Sequence, residues 1–374
     1  MLDVTLIVLC AGNSTRFEHK TKKQWIRIDN EPLWLNVTKR LASYSKFDSI
    51  IVASHEKELN YMKNFTDDYT FVKGGNTRQE SILNCLEKVK TKYVMITDVA
   101  RACIPQNVIL NLLNEKDNAD CIVPVLNVTD TVIYETNTIN RDNVKLIQTP
   151  QLSNTQILKN ALDTKIEFTD ESSAIKNING TIKYIQGSNE SKKLTLGNEL
   201  EELPCLTPPS NNFFTGTGFD IHAFEDNKEM FLGGVKLPYE YGFKAHSDGD
   251  VLIHSVIDAL LGACGAGDIG EFFPDTDEKY KGIDSKILLD EIVSFIYNVG
   301  YEIVNVDLTI IAQKPKINPF KNEIKTSMAN LLGIEKQFIN IKATTAEKMG
   351  FIGRAEGIAV QSIATLKYYN WKTK

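Results

Sequence analysis

The sequence has no long apolar run and no surplus of basic residues. Its N-terminal stretch, MLDVTLIVLCAG, is much shorter than the roughly 20 apolar residues that span a bilayer, and no basic segment precedes it. The 374 residues carry a net charge of −6 at pH 7, whereas sequence-independent binding of nucleic acid needs a concentrated basic surface. We therefore expect neither a membrane nor a nucleic acid as a partner, which leaves small molecules.

Cysteine is scarce, and its spacing follows no metal-binding or disulfide framework. The chain has six cysteines and no C-x-x-C pair. Scattered cysteines of this kind are typical of cytoplasmic proteins, in which thiols stay reduced. We therefore expect a cytoplasmic protein whose thiols are all reduced core residues, namely Cys10, Cys85, Cys103, Cys121, Cys205 and Cys264.

The chain is too long for one hydrophobic core, so two domains are expected. In the first half, the strand-like runs TLIVLCAG, SIIVAS, YVMITD and DCIVPV alternate with stretches long enough for helices. This alternation predicts an α/β domain with a parallel or mixed sheet and helices on both faces. The proline-rich stretch LPCLTPPSNN predicts a linker, and the glycine-rich turns, strands and long helix beyond it predict an α+β domain. The predicted ranges are 1–203 for the first domain, 204–212 for the linker and 213–374 for the second domain.

A phosphate-binding loop is predicted near the N-terminus. A buried strand leads into small residues from Ala11 to Thr15, and Arg16, Lys22 and Lys23 follow. Small residues let backbone N–H groups approach a triphosphate, and the cations screen its charge. The segment matches neither the P-loop nor the dinucleotide-binding pattern, and a tight strand-to-helix turn with a solvated basic helix would give the same residues.

Two further motifs place polar residues after glycines and after a strand. GGNTRQESI brings Arg78 and Ser81 to the start of a helix, and VMITDVAR ends a buried strand with Asp98, followed by Arg101. An acid at the carboxyl end of such a strand lies where ligands usually bind and is suited to holding a divalent cation on phosphates. Taken alone, Asp98 also fits a helix cap.

These residues belong to a longer series of motifs. AGNSTRF, KKQW, GGNTRQES, TDVAR, VTDTV, NRDNVKLIQTPQ, FTDESSAI and KKLT follow one another across about residues 3 to 200. In this order they resemble the 2-C-methyl-D-erythritol 4-phosphate cytidylyltransferases of the non-mevalonate isoprenoid pathway, which have a Rossmann-like nucleotidyltransferase fold. The resemblance implies that the first domain transfers a cytidylyl group from CTP to 2-C-methyl-D-erythritol 4-phosphate and releases pyrophosphate.

The same resemblance implies roles for individual residues. Arg16 and Lys23 would stabilise the pentacoordinate phosphorus, and Lys193 would assist from the far side of the triphosphate. Asp98 would hold Mg²⁺ or Mn²⁺. The implied catalytic set also includes Arg141 and Thr131, and the implied substrate-binding set is Gly12, Gly75, Ser81, Asp98 and Arg101.

A metal site is predicted in the second domain. In GFDIHAF, Asp220 and His222 alternate in an extended segment and therefore project to the same face. His254, on the helix predicted from IHSVIDALLGA, can join them, and one carboxylate with two imidazoles suits Zn²⁺ with an open fourth position. Asp250, His254 and Asp258 have the spacing of one helix stripe. A local hydrogen bond between Asp220 and His222, with His254 on a helix edge, would explain the same pattern.

The sequence around this site resembles a second enzyme family. GFDIHAF, LGGVKLPYEYGFKAHSDGDVLIHSVIDALLGA, GDIGEFFPDTD, NVDLTIIAQKPKI, KATTAEKMGF and GRAEGIA are similar to 2-C-methyl-D-erythritol 2,4-cyclodiphosphate synthase throughout residues 214 to 368. The resemblance implies an α+β domain of the cyclodiphosphate synthase type. Such a domain cyclises CDP-methylerythritol 2-phosphate and releases CMP.

This second resemblance also implies ligands, roles and an oligomer. It assigns Zn²⁺ to Asp220, His222 and His254. It assigns a second divalent ion, Mg²⁺ or Mn²⁺, to Glu347 and a catalytic role to Lys348. The implied substrate-binding residues are His246, Ser247, Asp268, Ala312, Lys316, Ile317, Ala343, Thr344, Thr345, Phe351 and Arg354. Because the family forms trimers with sites at subunit junctions, a homo-oligomer is expected, either a trimer or a hexamer.

The two resemblances together predict a bifunctional enzyme of isoprenoid precursor biosynthesis. A kinase must act between the two reactions, and the chain contains no kinase motif, so a separate kinase is expected. In one alternative the second domain is only a zinc-stabilised trimerisation or isoprenoid-sensing module, although no cysteine lies near Asp220 to close a structural zinc site. In another, the first domain is a sugar-nucleotide pyrophosphorylase with a broader choice of base.

Overall fold

The computed structural model describes residues 3–373. Contacts divide the chain into two compact units. The first runs to Pro209 and includes the chain from Asn370 onward, and the second is Ser210–Tyr369. None of the described helices is both long and apolar enough to cross a bilayer.

The first unit alternates strands and helices. Its strands are β1 (Val4–Leu9), β2 (Arg27–Ile28), β3 (Glu31–Pro32), β4 (Ser49–Ser54), β5 (Thr70–Lys73), β6 (Tyr93–Asp98), β7 (Cys121–Asn127), β8 (Val132–Tyr134), β9 (Asn137–Ile139), β10 (Lys145–Ile147), β11 (Gln151–Asn154) and β12 (Ile182–Gln186). Its α-helices are α1 (Leu33–Tyr44), α2 (Glu56–Lys63), α3 (Arg78–Leu86), α4 (Gln106–Asn114), α5 (Thr155–Leu162) and α6 (Glu171–Asn177). Side-chain caps fix several helix starts: Thr77 accepts the Glu80 N–H at the start of α3, and Asp170 accepts the Ser173 N–H at the start of α6.

The main sheet of this unit is mixed and has eight strands. Its order is β10-β7-β11-β6-β1-β4-β5, with β12 paired to β7. β1 runs parallel to both β4 and β6, whereas β11 runs antiparallel to β6. The register aligns Leu9, the last residue of β1, with Asp98, the last residue of β6. The loop after β1 and the end of β6 therefore meet at one edge of the sheet, where α/β proteins usually bind ligands.

The core of the first unit explains its uninterrupted apolar strands. Ile7 of β1 and Ile96 of β6 are fully buried and pack in one cluster with Ile82 of α3 and Leu158 of α5. Central strands covered by helices on both faces are apolar at successive positions rather than at alternate ones. The runs TLIVLCAG and YVMITD are such strands.

One expectation about cysteine is wrong. Cys103 and Cys205 form a disulfide, with their Cα atoms 5.6 Å apart across a sequence separation of 102 residues. Only the tertiary fold brings them together, so no local spacing motif could indicate the pair. The other four cysteines are free and buried, as expected. For Cys85, burial raises the pKa of the thiol to about 12.

The second unit is an α+β structure built on one sheet. Its strands are β13 (Phe213–Asp226), β14 (Met230–Leu232), β15 (Val235–Leu237), β16 (Tyr241–Phe243), β17 (Tyr301–Ile311), β18 (Ile339–Thr344) and β19 (Gly357–Tyr368). Its α-helices are α7 (Val251–Cys264), α8 (Ile269–Phe272), α9 (Ser285–Asn298), α10 (Lys321–Leu332) and α11 (Gly350–Gly353). The sheet order is β16-β13-β19-β17-β18.

Helix α7 lies unusually close to strand β13. A Cβ atom on Gly218 would lie 1.9 Å from the Ser255 carbonyl oxygen, and one on Gly216 would lie 2.2 Å from the Ala259 carbonyl oxygen. Alternation along β13 places Asp220 on the same face as these glycines. The glycines thus let α7 approach β13 directly beside Asp220.

Asp250 does not belong to a stripe of acids along α7. It is fully buried and caps the helix by accepting the Ile253 N–H at 3.1 Å. It also accepts the N–H groups of Gly233 at 2.8 Å and Gly234 at 2.7 Å. These three bonds satisfy the carboxylate within the protein, so Asp250 is a structural residue.

Candidate functional sites

The first unit contains a cavity of about 410 Å³ at the edge where β1 and β6 end. Seven of the residues predicted for this domain line it: Gly12, Arg16, Lys23, Gly75, Ser81, Asp98 and Lys193. Three of these side chains are cationic and only Asp98 is anionic. The cavity can therefore accept a ligand with several negative charges.

Lys23 lies among other cations. Burial and the neighbouring charges of Lys193 and Arg16 lower the pKa of Lys23 to about 8. Its Nζ atom donates to the Leu194 carbonyl oxygen at 2.6 Å. A lysine with a lowered pKa in a cavity is poised to gain interaction energy from an anionic ligand.

Asp98 is held by two cations. Its Oδ1 accepts from Arg78 Nε at 3.0 Å, and its Oδ2 accepts from Lys193 Nζ at 2.6 Å. Burial alone would raise the pKa of Asp98, but Arg78 and Lys193 hold it well below its usual value. Arg78 also donates to Glu171 Oε1 at 2.8 Å. Glu171 is fully buried, and burial raises its pKa.

A hydrogen-bond network joins the loop after β1 to the KKQW segment. Gln24 donates to the Gly12 carbonyl oxygen at 3.0 Å, and Ser14 Oγ accepts the Lys23 N–H at 3.0 Å. Buried Glu58 accepts from Trp25 Nε1 at 2.6 Å and forms an ion pair with Lys22. This network fixes the backbone that carries Lys23.

Other predicted residues of the first unit have local partners. Ser81 Oγ accepts the Gly75 N–H at 3.0 Å, which fixes the glycine turn. Arg101 donates to Thr149 Oγ1 at 3.1 Å and to the Ser191 carbonyl oxygen at 2.7 Å. Thr131 and Arg141 lie on an exposed segment and, like Arg101, do not line the cavity.

In the second unit, β13 and α7 bring the predicted metal ligands together. Asp220 Oδ2 lies 3.2 Å from His222 Nε2 and 3.3 Å from His254 Nδ1. One ligand atom from each of the three side chains lies within 4.8 Å of the other two. Among residues 3–373 this is the only group of three or more such side chains with metal-binding geometry.

The chemistry of these atoms fits a cation. The other nitrogen of His222, Nδ1, lies 2.7 Å from the Gly249 carbonyl oxygen, which can only accept. In the neutral ring, Nδ1 therefore carries the proton and Nε2 presents a lone pair to Asp220. Asp220 Oδ2 itself is buried and has no hydrogen-bond partner among the described residues. A metal ion would satisfy all of these lone pairs.

A cavity of about 270 Å³ adjoins the predicted metal ligands. It is lined by Asp220, His222 and His254 together with His246 and Ser247, which were predicted, and Asp258. Burial raises the pKa of Asp258, whose Oδ1 accepts the Ile269 N–H at 2.9 Å.

The remaining predicted residues of this unit do not line that cavity. They are Asp268, Ala312, Lys316, Ile317, Ala343, Thr344, Thr345, Glu347, Lys348, Phe351 and Arg354. Glu347 accepts from Thr345 Oγ1 at 2.8 Å, and Arg354 pairs with Glu356 at 2.6 Å. The register places Ala343 three strands from Asp220 through Val360 and Ile310, which is about 14 Å at the usual strand spacing.

Sequence reasoning missed several residues that hold these sites in place. Glu58 and Glu171 are fully buried acids of the first unit, and Ser285 contacts His254 in the second. Glu171 lies within the motif FTDESSAI, so it had a signal that could have been used. Glu58 and Ser285 contact residues more than 30 positions away, which leaves no local pattern.

The fold and the two sites define a class of two-domain α/β enzymes. Comparison with models of known protein families gives a match for each domain. Residues 4–203 match the family model described as 2-C-methyl-D-erythritol 4-phosphate cytidylyltransferase. Residues 213–367 match the model described as the YgbB family.

Comparisons over the full length identify the family. The chain is 83% identical over 374 residues to "Bifunctional enzyme IspD/IspF" of Aliarcobacter butzleri (strain RM4018), covering 100% of both chains. It is 53% identical to the protein of that name from Campylobacter fetus subsp. fetus (strain 82-40), covering 100% of this chain and 99% of the relative. The solved structure of bifunctional IspDF from Campylobacter jejuni has a TM-score of 0.88 and 47% identity, covering 98% of this chain and 99% of that chain. The chain belongs to the bifunctional IspD/IspF family.

This membership confirms the predicted fold class and the two-activity function. The chain is a cytidylyltransferase joined to a cyclodiphosphate synthase of isoprenoid biosynthesis. The readings as a sensing module or a sugar-nucleotide pyrophosphorylase have no such support.

Proposed function

We propose that the first unit transfers the cytidylyl group of CTP to 2-C-methyl-D-erythritol 4-phosphate. A phosphate oxygen of the acceptor attacks the α-phosphorus of CTP, the bond from that phosphorus to the bridging oxygen breaks, and pyrophosphate leaves. The supporting observation is the cavity that gathers Arg16, Lys23 and Lys193. In phosphoryl-type transfer, positioning and charge screening contribute more than a general base.

The remaining residues of the first unit would divide between the two substrates. Gly12 and Gly75 would keep backbone close to the nucleotide, with Ser81 fixing the turn at Gly75. Thr131, Arg141 and Asp98 would lie near the methylerythritol phosphate, and Arg101 would also contact a substrate. Thr131 and Arg141 lie on the exposed segment after β7 and would have to approach the cavity for this role.

In the second unit, we propose cyclisation of CDP-methylerythritol 2-phosphate. An oxygen of the 2-phosphate attacks the diphosphate phosphorus that is bonded to methylerythritol. The bond from that phosphorus to the oxygen shared with CMP breaks, so the ring closes and CMP leaves. His246 and Ser247 line the cavity beside the triad and would contact the substrate.

The metal at the triad is proposed to be zinc. Asp220, His222 and His254 would hold it with one coordination position left for the substrate, which suits the preference of Zn²⁺ for tetrahedral sites. When bound, the ion would supply Lewis-acid polarisation of a phosphate oxygen.

Mg²⁺ or Mn²⁺ remains a prediction at Asp98 and at Glu347. Both oxygens of Asp98 accept from cationic side chains, so it does not fit a metal ion until Lys193 or Arg78 withdraws. Glu347 stands outside the metal-binding triad.

A homotrimer is proposed, with a hexamer as the larger alternative. The sheet face of the second unit opposite α7 exposes Phe219 by 60% and Ile363 by 37%. The predicted substrate-binding residues that follow β17 or lie at the end of β18, such as Ala343, do not line the cavity beside the predicted metal ligands. A neighbouring copy packed on that sheet face would supply them, which gives a site shared between subunits.

A cytoplasmic location and a separate kinase complete the proposal. CTP is a cytoplasmic metabolite, and the product of the first reaction needs phosphorylation before the second. In a reducing compartment the disulfide between Cys103 and Cys205 would form only transiently.

The proposal is tested by following both products of one variant. His254→Ala should abolish CMP release from CDP-methylerythritol 2-phosphate, because it removes a metal ligand. Pyrophosphate release from CTP should stay near the level of the unmodified enzyme. Both can be measured on the full-length protein, together with its zinc content.

Lys23→Ala is the reciprocal control. It should lower pyrophosphate release by roughly 100-fold or more, as loss of a transition-state charge contact does, and should spare cyclisation. Equal loss of both activities in either variant would contradict two separate sites.

A further inference from the structure

The two imidazoles of the triad have different partners on their outer nitrogens. His222 Nδ1 faces the Gly249 carbonyl oxygen, which can only accept a hydrogen bond. His254 Nε2 faces two hydroxyl groups, Ser285 Oγ at 3.0 Å and Ser247 Oγ at 3.2 Å. A hydroxyl can donate or accept a hydrogen bond. The proton position in His254 therefore depends on whether the two serine hydroxyls donate to Nε2 or accept from it.

The hydroxyl proton of Ser285 is already committed. Ser285 Oγ donates to Asp248 Oδ1 at 2.5 Å, and an ionised carboxylate can only accept. Ser285 is fully buried, so no solvent competes for this bond. Ser285 Oγ can therefore only accept a hydrogen bond from His254, which requires the proton of the His254 ring to be on Nε2.

Ser247 lacks such a commitment. Its Oγ accepts the Gly249 N–H at 3.1 Å and lies near His254 and Ser285, and none of these described contacts is with a carboxylate. Ser247 is also partly exposed. Its hydroxyl can turn to suit either proton position of His254.

The fold fixes the Asp248–Ser285 pair in place. Ser285 is the first residue of α9, and the backbone N–H of Asp248 donates to the Ile283 carbonyl oxygen at 3.0 Å. This bond ties the loop before α7 to the start of α9.

We propose that Ser285, backed by Asp248, is a positioning residue that keeps the His254 proton on Nε2 and leaves Nδ1 free to bind the metal ion. This inference rests on the zinc site proposed above. Partners behind a metal-binding histidine fix its proton position and orientation, and their loss costs roughly 10–100-fold in metal affinity.

The test measures the zinc dissociation constant of the full-length protein by competition with a chromophoric chelator. Ser285→Ala should raise that constant by roughly 10–100-fold, whereas Ser285→Thr, which keeps the hydroxyl, should restore tight binding. Ser247→Ala is the matched control on the same nitrogen and should change the constant by no more than about threefold, because no carboxylate fixes its proton.

A second variant tests the linkage between the two residues. Asp248→Ala frees the Ser285 proton to donate to Nε2, which favours the wrong proton position, so it too should weaken zinc binding. The variant that combines Asp248→Ala with Ser285→Ala should bind zinc no more weakly than Ser285→Ala alone, because both changes break one chain of hydrogen bonds. Additive losses of zinc affinity would show two independent effects and would contradict the proposed linkage between Asp248 and Ser285.

The outcomes separate this inference from the proposed metal site. If the unmodified protein binds no zinc, both fail. If it binds zinc and Ser285→Ala binds it equally well, or Ser247→Ala weakens binding as much, only the positioning role fails. Urea unfolding and the cytidylyl-transfer rate show whether a variant is folded, and if Ser285→Ala is not, Asp248→Ala with Ser285→Thr decides the question by the same criteria.

Discussion

Lys23 illustrates how a single residue in this enzyme combines burial with like charge. Its pKa is lowered to about 8 by burial, with further contributions from Lys193 and Arg16, while Asp98 opposes the shift. The free enzyme therefore holds Lys23 close to its titration midpoint in mildly alkaline solution. A bound triphosphate would add negative charge and raise that pKa again.

The pH dependence of cytidylyl transfer should reveal this state of Lys23. The charged form exists below the pKa and is lost as the pH rises through about 8, so kcat/KM for CTP should fall above that pH. The fall in kcat should occur at higher pH, because CTP stabilises the charged form. Steady-state rates between pH 6.5 and 10 test both statements.

Lys23→Arg provides the control, since arginine stays charged throughout this range. Its kcat/KM should lack the decline near pH 8, whatever its absolute value. The prediction is wrong if the unmodified enzyme keeps a constant kcat/KM from pH 7 to pH 9, or if the arginine variant declines in the same way.

At the residue scale, local sequence patterns indicated the three candidate metal ligands but not the residues that support the sites. Asp220, His222 and His254 were predicted because alternation in a strand and spacing on a helix are local patterns. The partners of Asp98 could not be predicted in this way. Arg78 bonds both Asp98 and Glu171, and Glu171 lies 93 residues from Arg78 in the sequence, so only the tertiary fold brings these three side chains together.

Among the elements, the contact between α7 and β13 determines the geometry of the proposed metal ligands. Gly218 faces Ser255 across this contact, and Asp220 follows two residues later on the same face of the strand. A side chain at Gly218 would therefore separate the strand that carries Asp220 from the helix that carries His254.

Gly218→Ala should destabilise the second unit and weaken its metal site. The added Cβ would lie 1.9 Å from a backbone oxygen, which cannot move without shifting the helix. Overpacking of this kind costs typically about 1–3 kcal/mol in the free energy of unfolding. Urea unfolding and zinc affinity measure the two effects.

Gly262→Ala is a matched control on the other side of the same contact. Its Cβ would meet its nearest neighbours at 3.8 Å, an ordinary contact distance. Alanine is also the better helix former by about 1 kcal/mol, so this variant should be as stable as the unmodified protein or more stable. If Gly218→Ala proves equally harmless, close approach does not determine the geometry of this site.

Predictions about elements succeeded where a short apolar run or a helical spacing of apolar residues was clear. The runs SIIVAS, YVMITD and IHSVIDALLGA correspond to β4, β6 and α7. Asp250 was predicted incorrectly: helix spacing placed it on a stripe with His254, but its carboxylate caps α7 and accepts the N–H groups of Gly233 and Gly234. A capping residue and a residue within the helix cannot be told apart from spacing alone, because the first residue of a helix is uncertain by one or two positions.

Considered as a whole molecule, the chain was predicted to form two units because 374 residues are too many for one hydrophobic core. The boundary was placed near residue 203 because the motifs change there. The ranges 1–203, 204–212 and 213–374 stay a prediction. The structure groups the residues from Asn370 onward with the first unit, where Trp371 is buried and its indole N–H donates to the Arg27 carbonyl oxygen at 2.8 Å. Nothing local in the last five residues indicates that contact.

Assembly should be required for one activity and not for the other. Phe219→Glu places a charge on the exposed apolar sheet face and should dissociate the proposed trimer. Cyclisation should then fall by roughly 10-fold or more, because a neighbouring copy would no longer complete the pocket, while cytidylyl transfer continues. Sedimentation and the two assays on one preparation measure this.

Ile287→Glu is the control for a general effect of adding charge. Ile287 is 57% exposed on α9, which lies on the helical side of the second unit. This variant should keep both the oligomer and the two activities. A monomeric unmodified enzyme with full cyclisation activity would overturn the shared site.

The covalent link between Cys103 and Cys205 determines whether the two fragments separate after the backbone between these residues is cleaved. The chain between them includes the exposed hairpin of β8 and β9, where Ile133 and Tyr134 are each about two-thirds accessible to solvent. If a protease cuts this hairpin while the link is intact, the fragments remain one molecule. Once the link is reduced, only packing retains them, so the redox state of the surroundings decides whether a nicked enzyme can come apart.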